Sequence, residues 1–533
     1  MNGAVFRSDP ARSWAQAVAV RGGSIAAVGS DRHVIQHIGT GTEVVDLAGR
    51  LLVAGFQDAH VHPLHGGRIL LQCNLTEEAD LEEAAATIVS YAAVHDGPWV
   101  RGGGWRFEWF EHGEPGAAAL DVLVPDRPAY LTVADGHAGW ANSRALALAG
   151  IDATTPDPPD GRIQRLTNGD PQGTLHEGAM ALVERVLPAE SGAEMEAALL
   201  AGQQYLLKRG ITAWQDAMVT PELHGIYNQL AGDGRLKARV RGALWWPRDT
   251  GPDQFEMLEA RRREATGRYK AGSVKLMLDG VCENFTALML EPYLDATGRP
   301  TDNHGIEMLD PSTVPGVVSE LMGRGFQPHL HAIGDGAVRL ALDAVERGRL
   351  DHGAADVRPH IAHLQVIDPD DLPRFRRLGV TANVQPLWAC ADEAMTRLTT
   401  PFLGAVRSAR QYPFGSLLRH GAVLALGSDW PVSTPEVMAQ LAVAATRQPP
   451  GEPGVAPFLP DERIGLVDGL MAATAGSSYV NHHDDSSGRI EVGLDADLVV
   501  LSANPFETSD MSAVSVDTTV VRGEAVYESS GAA

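Results

Sequence analysis

The stretch LLVAGFQDAHVHPLHGG, residues 51–67, decides how the rest of the chain is read. A β-type apolar run leads into Asp58, His60 and His62, and a third histidine, His65, follows Pro63. Side chains two apart on a strand share a face, so His60 and His62 can aim two imidazoles at one point. His65 falls beyond the strand end and reads as a pocket or loop residue, and Asp58 as a structural strand-end residue. Taken alone, a His-x-His pair is more often a polar strand end than a pair of metal ligands. The remainder of the chain has to decide between the two.

Working outward, short β-type runs alternate with helical patterns at 209–217, 239–246, 272–280, 326–346, 358–365, 380–386 and 422–431. With LLVAGFQDAHVH as the first, eight strands spaced this way predict an α/β fold, a (β/α)8 TIM-like barrel. Residues 66–208 form a long insertion after the first strand and are expected to cap the barrel mouth. The β-rich ends, including AQAVAVRGGSIAAVG with its Gly22-Gly23 hairpin signal, assign segments 1–50 and 485–533 to a small β-sandwich domain. The barrel then spans 51–484.

Composition narrows the function. The 533 residues exceed one ordinary core, 44% are hydrophobic, and no apolar run approaches a membrane span. Basic residues number 43 against 68 acidic, a formal charge of −25 that repels phosphate backbones, so neither nucleic acid nor membrane is an expected partner. Cys73, Cys282 and Cys390 make no paired disulfide framework, and the first residues lack a signal pattern, which together predict a cytoplasmic location. RGGGWRFEWF (101–110) lacks the Lys-Ser/Thr of a phosphate loop, and NHHDD (481–485) reads as a solvated loop.

Six residues stand at or just past the C-terminal ends of predicted strands: His60, His62, Lys275, His331, His363 and Asp429. That end of a (β/α)8 barrel is where active sites are built, and imidazole with carboxylate suits zinc or a similar divalent ion. Lys275, in the apolar run SVKLML, is costly to bury as an ammonium. Conversion to a carbamate would make it an anionic oxygen donor; the other reading has it snorkel to the rim or pair with Asp279. His329, one pair deeper than His331, reads as packing or as support behind the ligands.

The blocks GFQDAHVH (55–62), DGHAGWANSRAL (135–146), GDPQGTLHE (169–177), GITAWQDA (210–217), VKLMLDG (274–280), HAIGD (331–335), HIAHLQ (360–365), GSDWPV (427–432) and GRIEVGLDADLVVL (488–501) occur in an order similar to that of one family. The chain resembles the amidohydrolase superfamily, within it amidohydrolase family 3, which holds YtcJ-like hydrolases and N-substituted formamide deformylases. The resemblance implies that His60 and His62 are the first-strand ligand pair and that Lys275 is the lysine that can be N-carboxylated to bridge two metals. By the same resemblance His331 and His363 are the fifth- and sixth-strand ligands, and Asp429 is the eighth-strand ligand. It implies one or two zinc ions and a homodimer.

An ion so held lowers the pKa of its water toward about 7, giving a metal-activated hydroxide. Asp429, as catalytic base, would take the water's proton and return it to a departing nitrogen. The expected activity is therefore hydrolysis of a non-peptide C–N amide-type bond in a small molecule. Where many family members have a DGSLGSRTA-like run this chain reads DGVCENFTA (279–287), which resembles the deformylase-like subgroup and turns the expectation toward N-substituted formamides or small N-acyl compounds with an apolar or aromatic part. Substrate contacts are expected from His137 and Trp105 in the insertion and from Glu283, Asn284 and Phe285 after the lysine strand. Two alternatives stand beside this reading: a cyclic amide, lactone or ester hydrolase or ring deaminase on the same metal site, and a non-catalytic regulatory or binding protein of the same fold.

Overall fold

A computed structural model describes residues 1–529 other than 77, 111–112 and 135; the last of these is the first residue of the DGHAGW run. Among the described residues no helix is long and apolar enough to cross a membrane. The chain divides into two compact units, Met1–His62 with Gln203–Asp429 and Pro435–Ala533, and Pro63–Gly202 with Trp430–Thr434.

The first unit holds an eight-stranded parallel sheet in chain order: β1 Phe56–Val61, β2 Ile211–Val219, β3 Arg239–Trp245, β4 Tyr269–Met277, β5 Gln327–Ala332, β6 His360–His363, β7 Thr381–Val384 and β8 Val423–Leu426. Every residue of β1, β5, β6 and β7 is buried, as expected of strands covered on both faces. Helices run between them; Asp335–His352 buries Ala337, Val338, Ala341, Leu342 and Val345, a stripe at helical spacing. The last strand returns to the first, where the Asp429 amide donates to the His60 carbonyl at 2.8 Å and the Ser428 amide to Asp58 Oδ1 at 3.1 Å. The TIM-like barrel architecture expected from the eight runs is therefore present.

The run LLVAGFQDAHVH is two strands, not one. Leu51–Ala54 lies parallel to Ala4–Phe6 and antiparallel to Leu498–Leu501, inside a six-stranded sheet drawn from both ends of the chain. Gly55 marks the change of sheet; a Cβ there would meet Thr212 Oγ1 at 2.3 Å, too close for any side chain. A separate hairpin, Ala17–Arg21 with Ser24–Gly29, turns on Gly22 (φ 59°) and Gly23 (φ 82°) as that dipeptide predicts. Val5, Ile25, Leu52, Ala54, Ile490 and Leu498 form the core beneath.

The second unit has its own six-stranded sheet, ordered Gly161–Arg165, Pro171–Glu177, Ala138–Ala141, Ala129–Val133, Val100–Trp105, Cys73–Asn74. His65 lies on the helix Pro63–Leu71 rather than in a loop. Trp105 corrects the sequence expectation. It is 0% exposed, donates its indole N–H to the Leu131 carbonyl at 2.8 Å, and packs against Phe107, Phe110 and Trp140. A ring so enclosed serves the core of this unit and offers a substrate no surface.

Candidate metal centre

The ends of β1 and β8 bring two imidazoles to one carboxylate. His60 Nε2 lies 3.2 Å and His62 Nε2 3.1 Å from Asp429 Oδ1, and His363 Nδ1, at the end of β6, is 3.8 Å from Asp429 Oδ2. The His60 and His363 rings are 4.7 Å apart between centroids, and His331, from β5, is 4.4 Å from His363. Lys275 on β4 is in register with His329 of β5.

Whether these groups fit a cation can be tested on spacing and on unmet bonding. Two donor atoms about 2.1 Å from one ion at the tetrahedral angle lie about 3.4 Å apart, and the three separations to Asp429 bracket that distance. Asp429 Oδ1 and His363 Nδ1 are buried with no geometrically well-formed hydrogen bond among the described residues. Leaving such atoms unmet costs about 1–3 kcal/mol each, a cost a bound cation removes. One donor atom each from His60, His363 and Asp429 already lies within 4.8 Å of the others. The residues fit a divalent ion.

Electrostatics point the same way. Burial by itself would raise the Asp429 carboxyl, but the imidazoles of His60, His62 and His363 hold it well below the ordinary carboxylate range. Burial, with the nearby charge of Lys275, pushes His60 down to about 3, so its ring is neutral and able to ligate. Burial brings Lys275 down to about 7 against the opposing pull of Asp429. The lysine is 2% exposed, so it does not snorkel to the rim. His363 (φ 82°) and Asp429 (φ 56°) both adopt the left-handed backbone region, a strain of about 1–3 kcal/mol each that clusters at functional sites.

A supporting layer lies behind these groups. His331 Nδ1 is 3.0 Å from Asp279 Oδ1, and the same carboxylate accepts from the amides of Ile333, Gly334 and Leu288 at 2.8–3.2 Å. The carboxylate can only accept, so His331 carries its proton on Nδ1 and presents Nε2 as a lone pair. Asp279 is thus the partner of His331, which corrects the reading that pairs it with Lys275. His329 Nε2 is 2.8 Å from His60 Nδ1. Trp388, which the sequence did not single out, stacks on His363 at 5.3 Å and 19° while remaining half-buried.

The amidohydrolase family model matches residues 43–527. This chain belongs to that family. Among relatives of this amidohydrolase, Protein LONG AFTER FAR-RED 3 of Arabidopsis thaliana is 33% identical over 99% of this chain and 91% of that protein. The N-substituted formamide deformylase of Arthrobacter pascens is 27% identical over 100% and 98%. An uncharacterized metal-dependent hydrolase from Pyrococcus horikoshii superposes with a TM-score of 0.75 at 21% identity, covering 99% of both chains, a likeness of fold.

The other expected residues have partners of their own. Glu283 accepts from Thr399 Oγ1 at 3.2 Å, Asn284 Oδ1 from the Thr286 hydroxyl, and Phe285 (φ 65°) packs edge-on to Tyr293 and Phe402. His137 belongs to the second unit, where Nδ1 lies 3.0 Å from both oxygens of Glu177. NHHDD is not solvated as expected: Asn481 and His483 are buried, and His483 Nδ1 is 3.2 Å from Gln57 Oε1.

Proposed function

We propose that this amidohydrolase is a metal-dependent hydrolase of a non-peptide C–N amide-type bond, with an N-substituted formamide or a small N-acyl compound bearing an apolar or aromatic part as substrate. The observation that carries the reading is the meeting of His60, the half-buried His62 and His363 on the buried Asp429, with polar atoms left for a cation to satisfy. His60, His62, His331, His363 and Asp429 would hold zinc or a similar ion. Lys275 joins them as the carbamate, since a neutral amine is the form that adds carbon dioxide and burial favours that form. A bound divalent ion supplies Lewis acidity, polarising the substrate carbonyl and easing water deprotonation.

The chain's own residues do the rest. Asp429, ionised at neutral pH, accepts the proton of the attacking water and delivers it to the departing nitrogen, which leaves as an amine. The half-buried Trp388 ring beside His363 offers a flat apolar surface to an aromatic substituent. The formamide preference draws support from the Arthrobacter pascens relative and from the DGVCENFTA run.

The test is a screen of N-benzyl and N-aryl formamides against acetamides, lactams and lactones, with and without chelator. Formamide hydrolysis that is lost on metal removal and regained with zinc is the expected result. Full activity in metal-free protein would overturn the metal reading, and turnover confined to lactams or lactones would overturn the substrate class.

A further inference from the structure

We propose that the floor of the barrel, at the strand ends opposite Asp429, holds a small inorganic oxyanion on the guanidinium of Arg241. Phosphate and sulfate are the class of ion it fits. The site shares no residue with the metal centre and stands whether or not that reading holds.

Arg241 is the third residue of β3 and pairs in register with Gln215 of β2. Gln215 reaches into the barrel, where its amide donates to Gln327 Oε1 at 3.2 Å. In-register neighbours on parallel strands share a face, so Arg241 points inward as well. Gly272 of β4 makes the room, since a Cβ there would lie 2.5 Å from the guanidinium carbon. In that space Nε donates to Ser273 Oγ at 3.0 Å, and the two terminal nitrogens have no hydrogen-bond partner among the described residues. They form a planar fork, the geometry that takes two oxygens of one anion.

The charge on that fork is unanswered. The carboxylates at this end are engaged by other arginines: Asp356 and Asp484 lie 2.9 and 2.6 Å from Arg358, and Asp495 and Asp497 pair with Arg239. The charges that Arg241 feels are those of Arg358 and Arg262, and burial together with these cations brings it down to about 10. His482, just past the helix Ser477–Val480, is brought down to about 4 by burial and by Arg241 and Arg358, and its Nε2 is buried without a partner. A guanidinium taken this far out of water is ordinarily paired. An oxyanion would supply the missing charge, accept from the fork and favour a proton on His482 Nε2. Arg241 is half-buried, so a small ion can reach it. The whole chain carries −25, so it is the local arrangement and not the net charge that draws an anion here.

The experiment follows calorimetric binding and the thermal midpoint of the full chain on adding inorganic phosphate, with chloride at matched ionic strength as the control. The parent should bind phosphate saturably, in competition with sulfate, and its midpoint should rise with the logarithm of phosphate above Kd. Arg241→Met, neutral and similar in length, should weaken phosphate by about 10–100-fold. Without the anion this variant should melt above the parent, because it buries no unanswered charge. Gly272→Ala, which fills the space of the guanidinium while keeping Arg241, should weaken phosphate in the same way. A phosphate bound at a metal would persist in both variants, so the event to be read is the one that the substitutions remove. A parent that binds no phosphate, binding undiminished in Arg241→Met, or a midpoint that chloride raises equally would each overturn the proposal. Should Arg241→Met not fold, Arg241→Lys keeps the charge and loses the fork, and phosphate binding as tight as the parent's would overturn the proposal there.

Discussion

Replacing Lys275 by Met should make the metal-free protein more stable, and by an amount that depends on pH. Folding moves the amine from an ordinary 10.5 to about 7, burial being the main cause. Between those values the unfolded chain holds a proton that the folded chain lacks, so parental stability rises with pH across that window and falls as pH drops toward 7. At about 1.36 kcal/mol per pH unit the folded state gives up about 4 kcal/mol at pH 7 and about 2 kcal/mol at pH 9. Met is neutral in both states, is similar in length and carries no such penalty. Urea unfolding of chelator-treated parent and Lys275→Met, in buffers free of carbon dioxide at pH 7, 8 and 9, should show the variant ahead by up to about 4 kcal/mol at pH 7, the gap narrowing by about 2 kcal/mol by pH 9. Added zinc should reverse the order, because the variant has lost a donor. A parent as stable as the variant at pH 7, or a gap that does not change with pH, would mean that the ammonium keeps its proton against Asp429 and that the desolvation reasoning is wrong.

Two further outcomes follow from side chains outside the ligand set. Asp279→Asn keeps the shape but weakens the acceptor that orients His331, and should lower zinc affinity by about 10–100-fold in the chelator competition while the circular dichroism spectrum stays unchanged. Trp105→Ala should destabilise the second unit by about 3–5 kcal/mol, seen as a lowered urea midpoint and earlier proteolysis within residues 63–202, with zinc affinity unaltered.

The barrel was legible because buried parallel strands leave a plain signature, β-type runs alternating with helical ones, and because His60, His331, His363 and Asp429 all fall where such strands end. The break at Gly55 was not legible. LLVA and FQDAHV follow one another with only Gly55 between them, and which sheet the first joins depends on Leu498–Leu501, far along the chain. Aromatic composition likewise cannot tell an inner face from an outer one, which is why Trp105 read as a substrate contact. The supporting layer was missed for a different reason. Gln57, Gln215, Gln327, His360 and Asn383 are buried polar residues on barrel strands, and their meaning emerges only when the barrel sets them side by side. NHHDD looked solvated because its polarity is satisfied internally, by Gln57 and Gln215, instead of by water. A polar residue at an interior strand position, repeated strand after strand, was the signal available.

The closure of β8 on β1 also sets a timetable. Ser428 and Asp58 meet although they are 370 positions apart. At about 5–20 residues per second, a ribosome delivers one roughly 20–70 s after the other. Throughout that interval His60 and His62 exist without the carboxylate that organises them, on a strand whose neighbour on one side has yet to be made. A cation that needs this carboxylate therefore has to wait until synthesis has passed β8, however early the two histidines emerge.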